Sequence, residues 1–112
     1  MPSFDLGDVV RVPFPYTDRA TRQHRPALVV SSPHSQAQHG LLWVLMITSA
    51  ENRGWPNDVA IVDLDAAGLP VASVVRTAKI ATIDVRDAQP LGKLRPRTRA
   101  EVMRHVAQTL GK

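Results

Sequence analysis

The chain has 112 residues, 44% of them apolar, no cysteine and a formal charge of +4. That length can hold one core without staples, and the missing cysteine excludes a disulfide scaffold, a thiolate zinc site and a Cys nucleophile together. No run approaches the ~18 apolar residues of a membrane span, and the start MPSFDLGD lacks the basic and apolar parts of a signal peptide, so a cytoplasmic protein is expected.

Gly7 and Asp8 precede VVRVPF, whose alternating Val10 and Val12 predict a half-buried strand that Pro13 places near a sheet edge or near its own end. PYTDRATRQHR, 15–25, is polar, basic and non-periodic, and reads as a long loop of the kind that often carries function. ALVVS and LLWVLMITSA follow as two strands so uniformly apolar that both faces should be covered, with Trp43 in the core. SPHSQAQHG between them reads as a turn, as does RGWPND further on. VAIVDL predicts a fourth strand, and ASVVRTAKIATID a fifth, broken near Thr77 or Ala78. DAQPLGKLRP carries loop breakers. At the C-terminus, Thr98 and Glu101 form a capping-box pattern. Val102, Met103, Val106 and Leu110 then share one helix face, with Gly111 at the expected left-handed C-cap. Successive short strands closed by one amphipathic helix predict a mainly β domain: a small antiparallel sheet or barrel packed by that helix.

Chemistry is limited by what is missing. There is no G-x-G-x-x-G or Walker motif, so no nucleotide cofactor is expected, and the G-x-S-x-G nucleophile elbow is missing as well. His24, His34, His39 and His105 form no ligand spacing, so no metal is expected either. The charge is lopsided: residues 1–75 carry five Arg against seven acids, whereas 76–112 carry nine Arg or Lys against three. A basic half suits a polyanion or an acidic protein segment, and also describes a plain solvated helix.

Arg25 stands where the second strand opens, and Thr48 and Ser49 stand where the third ends. If these strands are antiparallel neighbours, Arg25 meets Thr48 and Ser49 at one rim. A guanidinium beside hydroxyls can hold a phosphate, although an Arg-Pro strand start and a Thr-Ser turn cap are also ordinary structural devices.

GDVVRVPFPYTD, RPALVVSS, ITSA, SVVRTAKIATID and LGKL, in this order, resemble the MazF/PemK family of toxin endoribonucleases, the mRNA interferases of toxin–antitoxin pairs. The resemblance runs from Gly7 to the C-terminal helix and implies one toxin domain over 1–112, folded as an SH3-like antiparallel barrel with a C-terminal helix. It also implies a homodimer that cuts single-stranded mRNA without a metal, Arg25 and Thr48 being catalytic and Arg76 lying at the site. In one branch an acid follows that arginine by two residues. Here the position is Ala78, which leaves the general base unassigned. His24 is the nearest titratable candidate, against the objection that strand neighbours point to opposite faces.

Ser49, Arg76, Lys79, Tyr16 and His24 are the candidate RNA contacts, with Trp55 a possible base stacker and Arg86, Lys93 and Arg95 possible grips on flanking nucleotides. The expected partners are single-stranded RNA and an acidic antitoxin whose disordered tail folds across the basic groove over Arg25. The rival reading is a non-catalytic toxin or binding module on the same barrel, such as a topoisomerase poison of the CcdB kind. A barrel that merely docks RNA would bind with strong salt dependence and leave no cut ends.

Overall fold

The computed structural model describes residues 3–15 and 22–112. Strands β1 (Asp8–Pro15), β2 (Arg22–Val29), β3 (Leu41–Ser49), β4 (Val59–Ala60), β5 (Ser73–Asp84) and β6 (Gln89–Lys93) form one antiparallel sheet in the order β4-β5-β3-β2-β1-β6. Helices α1 (Pro33–His39), α2 (Leu64–Ala67) and α3 (Pro96–Thr109) complete the fold. The curled sheet with its C-terminal helix is the SH3-like arrangement expected from the sequence.

Alternation along the strands gives the sheet a core on each face. Val10, Val12, Phe14, Ala27, Val29, Leu42, Val44 and Met46 pack on one. Val9, Leu28, Leu45, Ile47, Val59 and Val75 pack on the other, where α3 adds Val102. Val44 to Ile47 are therefore covered on both sides, as the apolar run predicts. Trp43 is the exception and corrects the core assignment, being 51% exposed. It shares a surface groove with Ile80 and Leu110, at the C-terminal end of α3. The helix covers the Leu45–Ile47 stretch of that face and stops short of Trp43.

Several local features differ from the sequence expectation. The turn at 31–40 contains α1, built by end chemistry alone: Ser32 Oγ accepts from the Ser35 amide, Pro33 occupies the first turn and Gly40 closes it at φ 66°. VAIVDL is strand only at Val59 and Ala60, with one more backbone bond from the Ile61 amide to the Ser73 carbonyl, because Asp63 then caps α2 by accepting from the Ala66 amide. The breakers of DAQPLGKLRP do not prevent β6, an edge strand where Pro90 lacks only an expendable donor. Gly92 is needed there, since a Cβ would collide with the Ala66 carbonyl. Helix α3 starts at Pro96 with Arg95 as N-cap and no side-chain cap bond, so Thr98 lies inside the first turn and the capping box does not form. Gly111, at φ 82°, ends the helix as expected.

The break expected in the fifth strand is a bulge. Leu45 pairs with Ile80, but Met46 pairs with Arg76, which leaves Thr77, Ala78 and Lys79 without partners across β3. Bulges re-aim side chains, and this one lies beneath the segment joining β3 to β4.

Candidate functional site

Arg25 is inside β2, not at its mouth. It pairs with Val12 and shares the face of Ala27 and Val29. The β2–β3 register runs Val29↔Val44, Leu28↔Leu45, Ala27↔Met46. Two further steps place Arg25 opposite Thr48, the juxtaposition that antiparallel pairing predicts. Arg25 is half-buried, and its Nε is shut off from solvent. The same alternation puts Thr48 on the side of Met46, whose β5 partner is Arg76. One face of the sheet thus carries Arg25, Thr48 and Arg76.

Thr48 is 3% exposed, beneath the 50–58 segment rather than open on a rim. Its Oγ1 accepts from Asn52 Nδ2 at 3.0 Å. That bond occupies an acceptor lone pair and leaves the hydroxyl hydrogen available to donate. Ser49 turns its Oγ to the Glu51 amide at 3.3 Å and caps the 3₁₀ turn Ala50–Asn52.

Arg76 is buried, and its Nε and Nη2 donors are engaged within the protein. Nε and Nη2 reach the two Asp58 carboxylate oxygens at 3.3 and 3.0 Å, and Nη2 also donates to the Asn52 carbonyl at 2.6 Å. Its Cζ stands 4.4 Å from the centre of the Trp55 ring. Lys79, turned by the bulge, brings Nζ to 5.6 Å from the same ring. Thr77 Oγ1 donates to the Asn57 carbonyl at 3.0 Å. Asn52, Asn57 and Asp58 give no signal in the sequence, where they read as turn residues. Only the fold brings them over Arg76 and Thr77.

The other candidates are placed elsewhere. Tyr16 lies outside the described residues. His24 is exposed inside β2, and as a strand neighbour of Arg25 it faces the opposite side of the sheet, so the objection to it as general base holds. Arg86, Lys93 and Arg95 each meet acids: Arg86 with Asp84 at 2.9 Å, Lys93 with Asp8 at 3.4 Å, Arg95 with Asp63 at 2.7 Å. The Arg86 hydrogen bond holds the Asp84 carboxyl down at about 2. Asp63 is lowered by the Ala66 amide first and Arg95 second. The basic half therefore does not form one groove. Arg97, Arg99 and Arg104 are exposed on α3, which packs on the sheet face away from Arg25 and Thr48. Ala78 is exposed within the bulge, and the carboxylate that meets Arg76 comes instead from Asp58.

Residues 5–110 match the family model of PemK-like, MazF-like toxins of type II toxin–antitoxin systems. The fold is similar to crystalline MazF from Deinococcus radiodurans at TM-score 0.82 and 26% identity, over the whole of both chains. It is similar to the MazF of the MazE–MazF complex from the same organism at 0.77 and 26%, again over both whole chains. An endoribonuclease solved with its cognate antitoxin, from a mycobacterial species, shares the fold at 0.75 and 22% identity, over 99% of this chain and 96% of that one. No curated protein matches the chain.

Proposed function

Since the chain belongs to the PemK-like, MazF-like toxins of type II toxin–antitoxin systems, we propose that it is the toxin's catalytic form, a metal-independent endoribonuclease acting on single-stranded mRNA in the cytoplasm. The observation that carries this reading is the β2–β3 register, which sets Arg25 across from Thr48 on one sheet face. In the reaction, a ribose 2′-oxygen attacks the adjacent 3′-phosphorus and loses its proton. The bond from phosphorus to the 5′-oxygen breaks, and that oxygen takes up a proton. The products are a 2′,3′-cyclic phosphate and a 5′-hydroxyl, and the attack requires RNA because DNA has no 2′-hydroxyl. Arg25 neutralises charge growing on the non-bridging oxygens, and Thr48 donates the hydrogen that its bond from Asn52 leaves available.

Two partners belong to the same proposal. Deinococcus MazF has been crystallised with MazE, and here an acidic antitoxin segment laid over the Arg25 face would block the site. The uncovered patch of Trp43, Ile80 and Leu110 is the face on which two copies would pair, because a cluster of this kind rarely stays in water.

The test is incubation with a long, weakly structured RNA in EDTA, beside Arg25→Ala, with cut ends mapped. Discrete cuts bearing 5′-hydroxyls are expected, weakened roughly 100- to 1000-fold in the variant, the loss typical of removing one transition-state donor. RNA left intact by the unmodified protein would instead favour a binding module on the same barrel.

A further inference from the structure

The segment between β3 and β4 is tied down on both sides of Trp55. Before it, the Asn52 side chain donates to Thr48 and the Asn52 carbonyl accepts from Arg76. After it, the Asn57 carbonyl accepts from Thr77, with Asn57 itself in the left-handed region at φ 69°, and Asp58 grips Arg76. The ring thus held against Arg76 stays 43% exposed. Ordering a segment costs conformational entropy, and here burial of the large apolar side chain returns only part of it. Such a ring is set out to be covered by something else.

Charge decides what covers it. Asp58 neutralises Arg76, which is buried and directs Nε and Nη2 inward, so it is poorly placed to hold a phosphate. Lys79 enters no ion pair among the described residues and brings an ammonium beside the ring. A flat apolar surface next to an unneutralised cation fits a nucleobase followed by its phosphate. Resting on the ribonuclease reading above, we infer that Trp55 is a stacking platform for one base of the bound RNA strand, with Lys79 at the neighbouring phosphate and Arg76 as a positioning residue for the ring. The same segment fixes Thr48 through Asn52, so a base stacked on Trp55 sets which phosphate reaches Thr48 and Arg25.

Binding is measured with a short 2′-O-methylated single strand of mixed sequence, which cannot be cut because its 2′-oxygens are blocked. Tryptophan fluorescence should be quenched on binding, in Trp43→Phe as in the unmodified protein, and should lose that response in Trp55→Phe. Trp55→Ala should bind roughly 5- to 100-fold more weakly, the usual loss for one base–aromatic stack, whereas Trp55→Phe keeps a ring and most of the affinity. The fluorescence pair decides the matter even if Trp55→Ala is unfolded by circular dichroism. Unchanged affinity in folded Trp55→Ala, a quench that follows Trp43, or no binding of the strand would each overturn the platform. So would a quench at Trp55 produced by an acidic peptide and not by RNA. The two readings fail separately. Cut ends with no dependence on Trp55 sink the platform alone, and Trp55-dependent binding without cut ends sinks the nuclease alone.

Discussion

The two ends of β3 invert the usual rule of burial, in opposite senses. At its start, Leu41 and Trp43 are apolar and exposed; at its end, Thr48 is polar and buried. Each end also has an Arg–Asp pair on or near its β5 partner. Asp84, opposite Leu41, pairs with Arg86 in water, at side-chain exposures of 35% and 76%. Arg76, opposite Met46, pairs with Asp58 out of water, at 7% and 8%. The same two residue types act differently at the two ends. Solvent weakens the outer pair to little net value, whereas the inner pair is held by two guanidinium contacts and a carbonyl. On the function proposed above, the exposed apolar end would meet another copy of the chain and the buried polar end would support the chemistry.

The largest effect should come from breaking the inner pair. Asp58→Ala leaves the Arg76 guanidinium buried without its counter-ion, and should cost about 3–5 kcal/mol of stability by urea unfolding. A loss no greater than that of a typical surface substitution would mean the two pairs do not differ as described.

The next test addresses the apolar end. Trp43→Lys puts a charge into the patch with Ile80 and Leu110. Sedimentation should then show a dimer converted to monomers, with the melting temperature of the monomer hardly changed because the ring is not part of the core. A dimer that survives the substitution places the pairing face elsewhere.

The smallest effect belongs to the outer pair. Because the Asp84 carboxyl is lowered to about 2 in the folded chain, chiefly by Arg86, its contribution is present above the ordinary carboxylate range and is lost as pH falls through about 2. Asp84→Asn should therefore differ slightly from the unmodified protein near neutrality, and the two unfolding curves should converge toward pH 2. Divergence at low pH would show the sign to be wrong.

Much of the molecule was legible in residue order. Uniform apolar runs marked β2 and β3, alternation marked β1, and the spacing of Val102, Met103 and Val106 marked α3, because burial on a strand or helix face imposes its own period. Antiparallel neighbours also brought Arg25 toward Thr48 before any coordinates, since chain direction decides which ends meet. Helices α1 and α2 were missed because they are too short to show a period and exist through capping by Ser32 and Asp63. Strand β6 was missed because its edge position tolerates the Pro that read as a breaker.

What the sequence determined by itself was therefore the family, the sheet with its closing helix, and the pair Arg25 and Thr48. What only the tertiary structure decided was the surroundings of those residues. The bulge at Thr77–Lys79, the closure of 50–58 over Thr48, the Asp58 partner of Arg76 and the exposure of Trp43 all join residues far apart in the chain. A residue's type fixes which bonds it is able to make, but its partners are fixed by which distant segments the packed sheet brings within reach.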